Sequence, residues 1–207
     1  MRVLISVPNT GSIHKLVNLT VLRLLQDKRH STTYIQPTWR PYEHSMNRIA
    51  LDVIKGGFDY WLNIDSDNPP VNNPLDLIEY DLDIIGLPTP VWNDQGTPPI
   101  YFNAMDWHGD GWLPHRDTEG LQEVDAVGTG CILISRKTLL LMSKPFERTT
   151  DPAGIVEFGP DFNFCRKARA MNFKVWAHFD YPCQHFNTVD LLAVSQAIGV
   201  SAEACHG

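Results

Sequence analysis

Phe58-Asp59-Tyr60-Trp61-Leu62-Asn63-Ile64-Asp65-Ser66-Asp67 is the stretch on which the reading of this chain turns. Its first seven residues are mostly aromatic, β-branched or otherwise apolar, the composition of a short buried strand. Asn68-Pro69-Pro70 then marks a turn. Ligands of open α/β sheets bind outside the carboxyl ends of the strands, so a pair of carboxylates at such an exit is informative. Residues two apart in extended backbone point the same way, and Asp65 and Asp67 could therefore converge on one hard cation. The competing reading is a plain turn in which both carboxylates accept backbone N–H bonds.

Upstream, Val3 to Val7 reads as a first buried strand and Pro8-Asn9-Thr10-Gly11 as the loop that leaves it. Ser12 is placed to cap a helix whose Ile13, Leu16, Val17, Val21, Leu24 and Leu25 share one face. Thr32 to Ile35 is β-prone. A second amphipathic helix carries Met46, Ile49, Ala50, Val53 and Ile54 and stops at Gly56-Gly57. Strand, helix, strand, helix, strand predicts a parallel sheet with right-handed crossovers.

Downstream the pattern is less regular. Asp83 to Leu87 is a candidate strand. Residues 88 to 120, rich in Pro, Gly, Trp and His, read as a long loop or small hairpins, and loops of that length are commonly functional. Val124 to Val127 and Cys131 to Ser135 are strand candidates, and Thr138 to Met142 is an apolar segment. Gly159-Pro160 opens a helix from Asp161 to Met171. Lys174 to His178 reads as a strand, Tyr181 to Phe186 as an extended segment, and Thr188 as the cap of a last helix through Ile198.

Composition bounds the function. With 207 residues, 43% apolar and 20% charged, the chain can build one sizeable core. Its formal charge is 17 minus 24, or −7, with no basic stripe to grip nucleic acid through phosphates. Cys131, Cys165, Cys183 and Cys205 have no CxxC spacing and read as buried free thiols of a reducing compartment. The apolar run at the N-terminus is too short for a signal peptide, and no stretch has membrane-spanning length. A cytoplasmic protein without a membrane partner is expected.

Several residues could carry chemistry. His185, if it returns beside Asp65 and Asp67, would complete a carboxylate and imidazole set that suits Mn2+; a hydrogen-bonded histidine at a strand end is the alternative. Asp161 sits at a helix start, where the dipole favours an ionised carboxylate able to accept a proton, or simply caps the helix. Gly128-Thr129-Gly130 lets backbone approach a ligand or makes a bulge, and lacks the spacing of a dinucleotide-binding loop. Trp92, Trp107 and Trp112, interleaved with His108, His115 and Arg116, offer aromatic faces for sugar rings or nucleobases, or fill a satellite core.

Taken in order, these segments resemble the GT-A-fold glycosyltransferases, especially small inverting-type members from phages and bacteria. The resemblance is carried by Ile5-Ser6-Val7-Pro8-Asn9, Met46-Asn47-Arg48-Ile49-Ala50-Leu51, Leu62 to Asp67, Val124 to Cys131, Gly159-Pro160-Asp161-Phe162 and His185. It implies an α/β fold: a doubly wound, mostly parallel sheet with helices on both faces and a small second sheet near the active site. It implies one catalytic domain over 1–187, with 1–87 as the nucleotide-binding half and 88–187 as the acceptor side, and a helical tail over 188–207. Asp65-Ser66-Asp67 resembles the DxD motif, with Asp67 as direct metal ligand and Asp65 near the donor ribose or a metal-bound water. His185 resembles a further metal ligand, and Mn2+ is expected in preference to Mg2+. Pro8, Asn9, Arg48 and the Gly128-Thr129-Gly130 loop would hold the donor, a UDP-sugar. Asp161 resembles the acid that serves as base, although Pro160 stands where the family has a first acid. Trp92, Trp107 and Trp112 fall on the acceptor side.

Two other classes fit parts of the pattern. A sugar-phosphate nucleotidyltransferase shares the layout, but Val7 to Ser12 lacks a glycine-rich, arginine-containing loop for a triphosphate. A non-catalytic nucleotide- or carbohydrate-binding module is the third. The resemblance points to a hydroxymethylated pyrimidine in DNA as leading acceptor, with a glycan or protein as the alternative. The acidic balance opposes DNA, though Arg166, Lys167 and Arg169 could compensate locally.

Overall fold

The structure, a computed structural model, describes residues 1–92, 100–109 and 111–186. The first half alternates as its periodicity predicts: β1 (Arg2–Ser6), α1 (Lys15–Gln26), β2 (Ser31–Ile35), α2 (Tyr42–Gly56) and β3 (Tyr60–Ile64). A 3-10 segment, Pro74–Tyr80, leads into β4 (Ile84–Gly86). The Trp-rich region then forms short strands: β5 (Pro90–Trp92), β6 (Ile100–Phe102), β7 (Ala104–Trp107) and β8 (Trp112–Pro114). β9 (Leu121–Val124), β10 (Ala126–Val127), β11 (Cys131–Ser135) and α3 (Arg136–Leu141) follow. Next come β12 (Thr149–Thr150), β13 (Val156–Phe158), α4 (Pro160–Ala170) and β14 (Val175–His178).

Seven strands make the main sheet in the order β2-β1-β3-β11-β4-β14-β9. β1 runs parallel to β2 and β3, and β14 parallel to β4, whereas β11 is antiparallel to both its neighbours. The sheet is thus mixed, wound with helices on both faces, and GT-A-like in topology. A three-stranded sheet, β10-β7-β8, lies beside it, with two hairpin pairs, β5-β6 and β12-β13.

Alternation along β3 explains the two-sided core. Tyr60, Leu62 and Ile64 pack with Val17, Val21 and Leu24 of α1 on one face. Trp61 packs with Met46, Ile49 and Val53 of α2 and with Phe164 of α4 on the other. Both faces of β3 are covered, which is why its sequence shows an unbroken apolar run instead of alternation.

Local chemistry adjusts the predicted boundaries. His14, not Ser12, caps α1: its ring Nδ1 accepts from the Leu16 amide at 3.4 Å. Leu25 turns outward, since the buried stripe of α1 is only Val17, Val21 and Leu24. Gly57 ends α2 at φ 64°, a left-handed position that suits glycine. Thr138 to Met142 belongs mostly to α3, capped by the Ser135 hydroxyl. The predicted strand Val124–Val127 is split, Val124 pairing in the main sheet and Ala126–Val127 in the small one. The Pro74–Tyr80 segment has no counterpart in the sequence reading. Cys131, Cys165 and Cys183 are buried and free. The expected helix after Thr188, the 188–207 tail and Cys205 lie outside the described residues. Among the described residues no helix is long and apolar enough to cross a membrane.

Candidate functional site

The site forms where β1 and β3 end side by side, with the Pro8–Thr10 loop leaving one and Asp65–Asp67 the other. A buried polar relay beneath fixes the second exit. The Trp61 indole N–H donates to Ser6 Oγ at 2.7 Å, and that hydroxyl donates to Asn63 Oδ1 at 2.9 Å. Asn63 Nδ2 in turn donates to Asp65 Oδ1 at 3.1 Å and to the Thr129 carbonyl at 2.9 Å. Every partner is satisfied, so the relay holds Asp65 and the Thr129 loop in a fixed relation.

Asp65 leaves the strand, and its amide donates to the Gly130 carbonyl at 2.7 Å. The chain then turns, the Asn68 amide closing on the Asp65 carbonyl at 3.2 Å. Strand alternation therefore does not orient Asp67; the turn does. The Asp65 carboxyl also accepts from the Tyr42 hydroxyl at 3.4 Å, and Tyr42 meets Thr129 Oγ1 at 2.8 Å. Burial, chiefly, raises the Asp65 carboxyl to about 7, helped by the nearby Asp67 and Asp161 charges and opposed by its hydrogen bonds.

Asp67 lies beside His185, with Oδ2 3.8 Å from the imidazole Nε2. The far ring nitrogen, Nδ1, lies 2.8 Å from the Pro90 carbonyl and must donate to it. That bond requires a proton on Nδ1 and leaves Nε2 as the ring nitrogen nearest Asp67. The backbone locks the pair further: the Phe186 amide donates to the Asp67 carbonyl at 3.0 Å, and the Phe186 ring stacks on His14 at 3.8 Å. Among the described residues no group of three His, Cys, Asp or Glu side chains converges as a metal cage. An Asp–His pair nevertheless fits an ion of the Mg2+ or Mn2+ kind, which takes few protein ligands and fills its remaining positions with phosphate oxygens and water.

Asp65, Asp67 and His185 line one cleft of about 310 Å3 together with Gly128, Thr129, Gly130 and Asp161. Asp161 opens α4 as its second residue, following Pro160. Its Oδ1 accepts from the Phe162 amide at 2.9 Å, and burial raises its carboxyl against the lowering effect of that bond. The glycines are steric requirements. A Cβ on Gly128 would run into the Asn103 amide nitrogen, and one on Gly130 would meet Thr89 Oγ1 at 3.0 Å.

A second cleft of about 200 Å3 adjoins the first and is lined by Pro8, Asn9, Trp39 and Arg40 with Asp65 and Asp67. The Asn9 side chain is spent on the loop itself: Oδ1 accepts from the Gly11 amide at 3.0 Å, while Nδ2 donates to Val7 and Pro37 carbonyls. Arg48 does not line either cleft. It is 58% exposed, 3.9 Å from Asp52, and its guanidinium covers the Trp39 ring. Arg40 is the guanidinium at the cleft, its Nη2 donating to the Thr10 carbonyl at 3.0 Å.

Trp107 and Trp112 meet edge to face at 5.1 Å on β7 and β8. Trp92 is exposed on the separate β5-β6 pair. Sequence reasoning missed Tyr42, Asn63, Trp39 and Arg40. The alternation of Asn63 with Asp65 along one strand face was the signal available for the second of these; nothing local marks the other three.

No family model matches the chain, and no curated protein matches it. Among solved structures its fold is similar to that of A197 from STIV, at TM-score 0.64 and 15% identity over 91% of this chain and 87% of that one. UDP-glucose pyrophosphorylase complexed with UDP-glucose overlays more loosely, at TM-score 0.48 and 9% identity over 98% of both chains. The apo form of a UDP-glucose pyrophosphorylase gives TM-score 0.45 and 9% identity over 99% of this chain and 82% of that one. These are distant likenesses of fold.

Proposed function

We propose that the chain is a metal-dependent glycosyltransferase that moves a sugar from a nucleoside-diphosphate sugar, a UDP-sugar foremost, to an acceptor hydroxyl. One observation supports the reading above the others: Asp65, Asp67, Asp161 and His185, drawn from three separate parts of the sequence, line a single cleft. Residues 1–87 would hold the donor and 88–187 face the acceptor. The nucleoside fits the adjoining cleft, where Trp39 offers an aromatic face and main-chain groups of the Pro8–Thr10 loop offer the polar edge, since Asn9 is already bonded. The diphosphate then lies between Arg40 and the Asp67–His185 pair. Mn2+ bound by that pair and the diphosphate would supply positive charge against the leaving group.

Asp161 acts as the base. As the acceptor oxygen bonds to the anomeric carbon, its proton passes to the Asp161 carboxylate, and the bond from that carbon to the diphosphate oxygen breaks with its electrons leaving on the nucleoside diphosphate. Attack opposite the departing group inverts the anomeric centre. Arg40, which lines the adjoining cleft, is the chain's own cation available to offset developing charge.

The test is release of nucleoside diphosphate from UDP-sugars in the presence of Mn2+, with and without acceptor. Asp67→Ala should abolish it while a distant surface variant such as Lys28→Ala retains it. No release from any donor would exclude the enzyme and favour a binding module. Product carrying the donor's own anomeric configuration by NMR would exclude inversion. A hydroxymethylated pyrimidine in DNA stays in the acceptor panel, beside glycans and proteins.

A further inference from the structure

Helix α2 begins beside the cleft of about 200 Å3 that Asp65 and Asp67 share with Trp39 and Arg40. Its N-cap is Pro41, which supplies no side-chain cap. The first intrahelical bond runs from the Ser45 amide to the Pro41 carbonyl at 3.1 Å, so the amides of Tyr42, Glu43 and His44 have no intrahelical acceptor. Tyr42 and Ser45, three positions apart, share a face of this turn, and both line the cleft. Glu43, the acid of the first turn, lines a different cleft and pairs with Arg148 at 2.9 Å. The helix's own acid therefore leaves its positive end uncompensated toward Asp65 and Asp67.

Ser45 adds an independent observation. The residue is 1% exposed, and its Oγ has no hydrogen-bond partner among the described residues. A helical serine commonly turns its hydroxyl back to the carbonyl four positions earlier; this one makes no such bond. A buried hydroxyl left without a partner is destabilising, and Ser45 borders the cleft, so a ligand oxygen there would receive the bond that the protein does not supply. Arg40 stands on the same cleft. Its Nη2 donates to the Thr10 carbonyl at 3.0 Å, and among the described residues no carboxylate pairs with it. The Asp65 and Asp67 carboxylates oppose a bare anion in this space, so an anion enters together with a divalent cation.

From this we infer that the start of α2, with the Ser45 hydroxyl and the Arg40 guanidinium, is the seat of the nucleotide's diphosphate, taken as its complex with a divalent cation. Open amides at the positive end of a helix, an unpartnered hydroxyl and a guanidinium without a carboxylate are the groups that phosphate oxygens accept from. The inference rests on the nucleotide-sugar reading for the identity of the ligand, and on the helix start for the part of it that Ser45 meets: the phosphates, not the base or the ribose.

Calorimetry on the full chain tests it, with UDP and with methylenediphosphonate, a diphosphate analogue that has no base or ribose, each in the presence of Mn2+. Ser45→Ala should weaken both ligands by the same factor, about tenfold or more, the value of one hydrogen bond to a charged group. Arg40→Gln should weaken both as well, by a factor that shrinks as salt is added. Without ligand, Ser45→Ala should melt at or above the parent temperature, because its hydroxyl has no partner to lose. Four results would overturn the inference: a parent that does not bind the diphosphonate, a Ser45→Ala variant that binds UDP as the parent does, one that loses UDP but keeps the diphosphonate, or one that melts lower without ligand. Release of nucleoside diphosphate from UDP-sugars is followed in parallel. Diphosphonate binding that depends on Ser45, without turnover, keeps the seat and removes the transferase reading; turnover whose KM is unchanged in Ser45→Ala removes the seat alone.

Discussion

Replacing Asp65 by Asn isolates the cost of holding a carboxyl group at the bottom of this cleft. In the folded chain the group is raised from 3.8 to about 7, mainly by burial. A proton is therefore retained on folding across that window. Below it, both folded and unfolded chains are protonated at Asp65 and the group costs nothing. As pH rises through the window the unfolded chain has released its proton and the folded chain has not, so stability falls, and above about 7 the full penalty applies. At about 1.4 kcal/mol per unit the ceiling is about 4 kcal/mol. Asp65 is only half-buried, and cleft water that touches it reduces the penalty to about 1–4 kcal/mol. The amide of Asn can still accept from Asn63 and Tyr42 through its oxygen, but does not titrate. Urea unfolding of both proteins without metal, from about pH 4 to about pH 8, should show the variant gaining on the parent by that amount, and melting should diverge by about 2–4 °C for each kcal/mol. A stability difference that stays flat across the range would refute the reasoning.

Three further outcomes follow from the site. Mn2+ alone should bind weakly and tightly once UDP is present, because the protein offers an Asp–His pair and the diphosphate must complete the shell; His185→Ala should cost about tenfold or more in that ternary affinity by calorimetry. Asp161→Asn should lower kcat by about 10²–10⁴-fold, and the parent rate should rise with pH through a limb set higher than that of an ordinary aspartate, since burial raises the base and only its ionised form accepts a proton; the variant should lack that limb. Gly128→Ala should lose about 1–3 kcal/mol in denaturant unfolding, because its methyl displaces Asn103, whose Oδ1 holds the buried Thr89 amide at 2.9 Å.

Several of these elements could be read directly from residues. β3 was legible because a strand covered on both faces must be apolar throughout, and α2 because its buried positions recur at helical spacing and Gly57 stops it. The start of α1 was misassigned to Ser12, since a histidine ring can cap a helix and carries no strong local signal. Asp65, Asp67, Asp161 and His185 were identifiable as carboxylates and an imidazole at element ends. Arg48 shows the limit: its neighbours in sequence did not reveal that Arg40, eight positions earlier, would face the cleft while Arg48 lay over Trp39. That outcome depends on how the loop before α2 crosses the end of β1.

The sequence by itself determined the alternation of strands and helices, since burial on one or two faces writes its period into the order of apolar residues. It also determined which side chains could carry charge at strand ends. Only the folded chain decided that Nδ1 of His185 donates to Pro90 and turns Nε2 toward Asp67, that Tyr42 closes on Asp65, and that Trp112 of β8 meets the Phe162 ring of α4 edge to face. Those relations join residues tens to more than a hundred positions apart. No local pattern encodes them, because the energy that fixes each comes from partners that meet only when the sheet is assembled.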